Sequence, residues 1–386
     1  MSEYQYYEFR AIDRPLTQKQ MDEVGEYSTR AEITPTSFTN EYHWGNFRGD
    51  VLKFIEKYFD AMVYTANWGT HRFVFRVPAD LIDLAAVKPY CAGESAEISV
   101  KGGNLIFDLT SQIDDSEDEP DPGDWMSGLI SVRAELLAGD LRPLYIAWLA
   151  SAEHGELDDS DMEPAVPPGL KKLTAGQKDL AAFLRVDDEL LSVAATASAE
   201  LAATRGDDDF NGWLTSQPGR EKDELLIALV TNADPFLPTR LRRQFQKQHA
   251  SPVKSSTPER TVSQLLEEAE RLRAKRKAAA DEAAARERAR KAAEAEQQRA
   301  AHLDRLAQRG EAPWNEVEKL VESKQPAKYD SAVTLLKDLR DLALQRGMSA
   351  QFALRVHSLV DRHAKKGSFR QRIMKASVIP QSPGVA

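Results

Sequence analysis

The sequence predicts an α+β fold, on three observations. Short aromatic and β-branched runs separated by turn residues fill the first hundred positions. Apolar residues at helical spacing dominate the next hundred and twenty-five or so. Thirty consecutive residues, 273–302, then carry no Val, Ile, Leu, Met, Phe, Tyr or Trp at all. Together they imply an N-terminal mixed α/β domain, a helical middle domain, a long charged helical arm and a C-terminal helical hairpin module.

Tyr4 to Ile12 reads as a strand bounded by Asp13 and Pro15, and Thr17 with Gln20 makes a capping box for a helix to about Tyr27. Ser37 to Trp44 reads as a strand and Asp50 to Phe59 as a helix. Met62 to Trp68 and His71 to Pro78 are two strands joined near Gly69, and Asp80 to Val87 fits a short helix. Ala96 to Lys101 and Asn104 to Thr110 flank Gly102-Gly103, a two-residue hairpin signal. This α+β domain is expected over 1–113. Positions 114–124 hold seven acids in eleven residues and no base, which implies a solvated loop and a natural domain break.

The helical domain is expected over 125–250. Its signals are the stripe Trp125, Leu129, Val132, Leu136, and the caps Thr174 and Asp187. A linker by composition, 251–258, leads to the arm, 259–310. The arm's acid-first pairs Glu267–Arg271, Glu282–Arg286 and Glu287–Lys291 support a helix that needs no core, roughly 75 Å long at the usual rise. A coiled coil needs apolar a and d positions over several heptads, and only the arm's two ends supply them, so a spacer is the better reading. The helical module is expected over 311–375 and a disordered tail over 376–386.

Within the module, the run from Trp314 to Phe369 resembles a helical segment near the C-termini of bacterial SWIM-type zinc-finger proteins, and is similar to tetratricopeptide-like helical pairs. Trp314, Tyr329-Asp330, Leu335-Leu336, Leu339, Phe352 and His363-Ala-Lys-Lys carry the resemblance, over about sixty of 386 residues. The zinc ligands of that family are not carried over, since Cys91 is the sole cysteine. The opening YQYYEFRAIDRPLT resembles a bacterial family without an assigned activity.

Formal net charge is −10, with +8 on residues 319–386 and −18 on the rest. Only the tail therefore has the sign for nucleic acid. Arg355, Arg362, Lys365, Lys366, Arg370 and Arg372 are the candidate contacts, to phosphates or to an acidic partner. His43, Trp44, Trp68 and His71 lie at strand ends and form a candidate N-terminal pocket. Asp158, Asp159, Asp161 and Glu163 form an acidic loop without the turn that a hard cation requires, and Asp207 to Asp209 read as a helix start. Cys91 reads as an inert packed thiol. No phosphate-binding glycine loop, nucleophile elbow or His-Glu-x-x-His spacing occurs, so no catalytic residue, cofactor or metal is expected. A lone cysteine and an opening without a basic or apolar leader suit the cytoplasm, and no apolar run nears the ~20 residues of a membrane helix. The expected role is a non-catalytic adaptor with protein partners. A nucleic-acid factor and an enzyme of unrecognised type are the alternatives.

Overall fold

A computed structural model describes residues 3–113, 125–201, 207–231, 234–249 and 260–378. The chain divides into two compact units, Met1–Arg276 and Lys277–Ala386.

The first unit is built on a seven-stranded antiparallel sheet. Its strands are β1 (Gln5–Arg10), β2 (Glu32–Thr34), β3 (Ser37–Tyr42), β4 (Ala61–Ala66), β5 (Thr70–Pro78), β6 (Ala96–Lys101) and β7 (Asn104–Gln112), in the order β2-β3-β1-β4-β5-β7-β6. The three-residue edge strand β2 is not anticipated by periodicity. Gly102 and Gly103, at φ +55° and +78°, make the expected β6–β7 hairpin turn, a conformation that side chains with a Cβ disfavour. The stretch expected as one helix over 80–87 is a 3₁₀ turn, Ala79–Leu81, followed by α3 (Leu84–Val87), restarted by the Asp83 cap on the Ala85 amide at 3.0 Å.

Side-chain alternation along the strands feeds two cores. Phe9, Phe38, Met62, Val74 and Ile106 face one side, where α1 (Gln18–Gly25) and α2 (Val51–Lys57) bring Val24, Phe54 and Ile55. Val63, Phe73, Phe75, Phe107 and Leu109 face the other. There α4 (Trp125–Leu137), α5 (Arg142–Glu153), α6 (Ala175–Phe183) and α7 (Asp188–Ala194) cover them with Leu129, Val132, Leu136, Ile146, Leu149 and Phe183.

This corrects the expected separation of an α+β domain from a helical one. The sheet and helices α4 to α7 share one core. The physical reason lies in β5 and β7, where Phe73-Val74-Phe75 and Leu105-Ile106-Phe107 are apolar at both parities. A strand of that kind must be buried on both faces, so the helices are the sheet's second cover. The acidic 114–124 segment and the 251–258 linker lie outside the described residues.

Helices α8 (Asp207–Ser216), α9 (Gly219–Val230) and α10 (Leu237–His249) gather round Phe210, Trp213 and Phe245, whose rings are 5.5–5.7 Å apart. Arg243 ties α10 to the end of α4 by donating to the Leu137 carbonyl at 3.0 Å.

The arm is one helix, α11 (Val262–Gln308), begun by a Thr261–Gln264 capping box. Its first turns bury Val262, Leu265 and Ala269 in the core beneath the sheet, while residues 273–302 are exposed apart from the half-buried Glu287. The three acid-first pairs form, with Glu267–Arg271 at 3.0 Å, Glu282–Arg286 at 2.5 Å and Glu287–Lys291 at 3.6 Å.

The second unit closes round Leu303 and Leu306 of α11. Helices α12 (Ala312–Glu322), α13 (Pro326–Gln345), α14 (Ser349–Arg362) and α15 (Gly367–Lys375) add Val317, Val321, Leu336, Val356, Leu359, Phe369 and Ile373. Two expected boundaries move. The module recruits the end of the arm, and Val378 of the expected tail is fully buried in the same core. The remainder of that tail, 379–386, is outside the described residues.

Candidate functional site

The four N-terminal residues singled out do not converge. His43 follows β3 and packs on Tyr4, ring centroids 5.5 Å apart. Trp44 lies under Arg30, whose guanidinium sits 4.6 Å from the ring centre, beside a hollow of about 300 Å³. His71, on β5, stacks on Phe183 at 4.8 Å, with Nδ1 2.8 Å from the Phe183 carbonyl. A carbonyl only accepts, so Nδ1 carries the proton there. His71 is thus a joint between sheet and helix.

Trp68 lines a separate hollow of about 530 Å³, with Glu94, Ser95, Thr110, Gln112, His154 and Glu156. Its inner wall is wired by hydrogen bonds. Ser95 donates its amide to Glu156 Oε2 at 2.7 Å and its hydroxyl to Glu156 Oε1 at 2.6 Å. That commits the serine proton, so His154 Nδ1, 3.1 Å away, is the donor to Ser95 Oγ. His154 Nε2 is buried without a partner, and burial lowers the pKa of the ring below the usual histidine value. A neutral imidazole whose second nitrogen is shut off from solvent holds the wall in place and does not relay protons. Ser95, His154 and Glu156 come from two elements some sixty residues apart in sequence, and no local spacing marked them.

Cys91 is half-buried, and burial pushes its thiol up to about 12. The thiolate needed for nucleophilic or metal chemistry is then scarce at neutral pH. Among the described residues no group of three or more His, Cys, Asp or Glu side chains is arranged to hold a metal ion.

The acidic loop before the arm has another use. Glu163 is fully buried, and both its carboxylate oxygens accept from Arg260, at 2.8 and 2.9 Å. Tyr145 OH also donates to it. The Asp159 and Asp161 carbonyls accept the Ser263 and Val262 amides, at 3.1 and 2.9 Å, which satisfies the open N–H groups at the start of α11. The loop is a clamp on a helix end.

Four of the six basic candidates are held inside their own module. Arg355 donates to Glu311 Oε1 at 2.8 Å and lies over the Trp314 ring at 4.4 Å. Arg362 pairs with Glu318. Lys366 donates to the Val321 carbonyl at 2.6 Å, and Arg372 to Asp330 at 2.6 Å. These contacts hold α14 and α15 against α12 and α13. Lys365 and Arg370 are exposed.

One surface was not singled out from the sequence. On α9, Leu226, Ile227, Leu229 and Val230 are exposed, and Leu226 and Leu229 line a groove of about 390 Å³ shared with α8 and α10. A signal was present. Residues 225–230, LLIALV, are six successive apolar positions, and a helix apolar all round has more to cover than one core face.

No helix among the described residues is long and apolar enough to cross a membrane. No family model, curated protein or solved structure matches the chain.

Proposed function

We propose that this chain is a non-catalytic adaptor of the cytoplasm, one that joins protein partners through its globular body and its C-terminal helical module. The observation that carries the reading is the use made of α11. Its first turns are buried in the core of the body and its last turns, at Leu303 and Leu306, in the core of the module. The residues between present charge to water on almost every side. Ala, Glu, Lys and Arg keep such a helix formed by backbone propensity and ion pairs alone, so it can serve as a spacer without burying anything.

Co-purification tests the reading. The tagged full chain is compared with a chain ending at residue 310, the body's unfolding transition being measured in both. Loss of a defined subset of partners from the shortened chain, with the body still folded, is the expected result. An identical partner set in the two samples overturns it.

A further inference from the structure

We infer that the hollow beside Trp68 binds a small alkyl ammonium ion of diamine size, its N–H groups taken by Glu94 and Glu156 and its carbon chain laid on the indole. The inference stands apart from the adaptor reading and concerns the body alone.

A carboxylate built into the wall is the first argument. The Glu156 side chain is only 21% exposed, and its two oxygens are fixed by the Ser95 amide and hydroxyl. The backbone is shaped to it, since Gly93 has φ +79° and a Cβ there would stand 2.5 Å from Glu156 Oε2. Those hydrogen bonds orient the carboxylate and bring no net charge. His154 Nδ1 lies 3.9 Å from Glu156 Oε1, but burial keeps the ring neutral at pH 7, so it supplies no counter-ion. Arg185, whose charge reaches His154, donates to the Gly69 carbonyl at 2.6 Å and lies outside the lining. Glu94 adds a second carboxylate to the hollow, and no Lys or Arg lines it.

Hydrogen-bond polarity is the second. The Ser95 hydroxyl proton is spent on Glu156 and the His154 Nδ1 proton on Ser95, while the Thr110 hydroxyl turns to Asp108 at 3.4 Å. Apart from the Gln112 amide, the polar wall therefore offers acceptors. An ammonium group is all donor and positively charged, so it answers that wall in both respects. A diol brings no charge, and an anion is repelled. The aromatic ring is the third argument. Trp68, 38% exposed, gives the same hollow an indole, the best of the aromatic faces for a cation and an apolar bed for methylenes. Two carboxylates and an indole do not make the cage of oxygens that a bare divalent ion requires.

Calorimetric titration of the full chain tests the site with putrescine as the probe. Butanediol is its uncharged counterpart, and choline is a cation without N–H donors. Putrescine is expected to saturate a single site, butanediol to give no binding heat, and choline to bind about tenfold or more weaker. Glu94→Gln and Trp68→Leu, both at exposed positions, should each weaken putrescine about fivefold with the unfolding transition in place. No saturable binding of putrescine overturns the inference, as does equal binding of butanediol or of choline. So does putrescine binding unchanged in the Glu94→Gln/Trp68→Leu double variant, since the amine is then attracted elsewhere on the acidic surface. Failure of this titration leaves the adaptor standing, because the partner comparison with the chain ending at 310 is read separately.

Discussion

Arg260 grips Glu163 with two hydrogen bonds, Nε to Oε2 at 2.8 Å and Nη2 to Oε1 at 2.9 Å, where the carboxylate has no contact with solvent. The pair joins the residue that ends the acidic loop to the residue just ahead of α11. The Glu163 amide donates to the Arg260 carbonyl at 3.0 Å, so the two backbones are locked as well. Tyr145 is the third member, its hydroxyl pKa well above the usual value through burial and the neighbouring Glu163.

Removing the Glu163 charge leaves the mostly buried Arg260 with only the longer, half-exposed contact to Glu268 at 3.6 Å as its counter-ion. Glu163→Gln is expected to cost about 3 kcal/mol, more than replacing both partners with apolar residues. Denaturant unfolding of the full chain measures it, and amide exchange should quicken over 262–269. A loss below about 0.5 kcal/mol would mean that the clamp is ornamental.

The buried imidazole of His154 makes stability depend on pH. Its folded pKa lies below the usual histidine value because burial disfavours the charged ring. Once pH falls below about 6.5, the unfolded chain binds this proton more readily than the folded one, so stability drops on acidification and is fully restored above that pH. His154→Gln should flatten the slope of unfolding free energy between pH 7 and 5. A slope unchanged by the substitution would assign the effect elsewhere.

Cys91 should be slow to alkylate. With its thiol pushed up to about 12, the thiolate is on the order of a thousandfold scarcer at pH 8 than in an ordinary cysteine. Iodoacetamide labelling of the native chain is expected to be very slow and to become rapid in denaturant. Fast native labelling would contradict the burial.

The two classes of basic residue in the terminal module should separate. Arg355→Ala loses both its contact with Trp314 and its bond to Glu311, and should lower the unfolding midpoint of this unit slightly but measurably. Arg370→Ala should leave the unfolding of this unit unchanged. Equal effects from the two would undo the distinction drawn between structural and solvent-facing cations.

In the exposed stretch of α11, propensity alone should govern. Ala284→Gly is expected to cost about 1 kcal/mol of local helix stability, read by amide exchange, and Ala284→Glu close to nothing. A large cost for Ala284→Glu would reveal a packed surface there.

What the chain's own order of residues determined is local. The Thr17–Gln20 box, the caps at Thr174 and Asp187, the Gly102-Gly103 turn and the ion-paired arm were all legible, because each depends on neighbours within four positions. Only the tertiary structure decided which surfaces meet. It made one core of the sheet and α4 to α7, turned an acidic loop into a clamp through Arg260, dispersed His43, Trp44, Trp68 and His71, and bound four basic side chains to their own module. Those outcomes rest on contacts between residues tens of positions apart. Such contacts are chosen by the joint burial of whole faces, and no short window of sequence carries that choice.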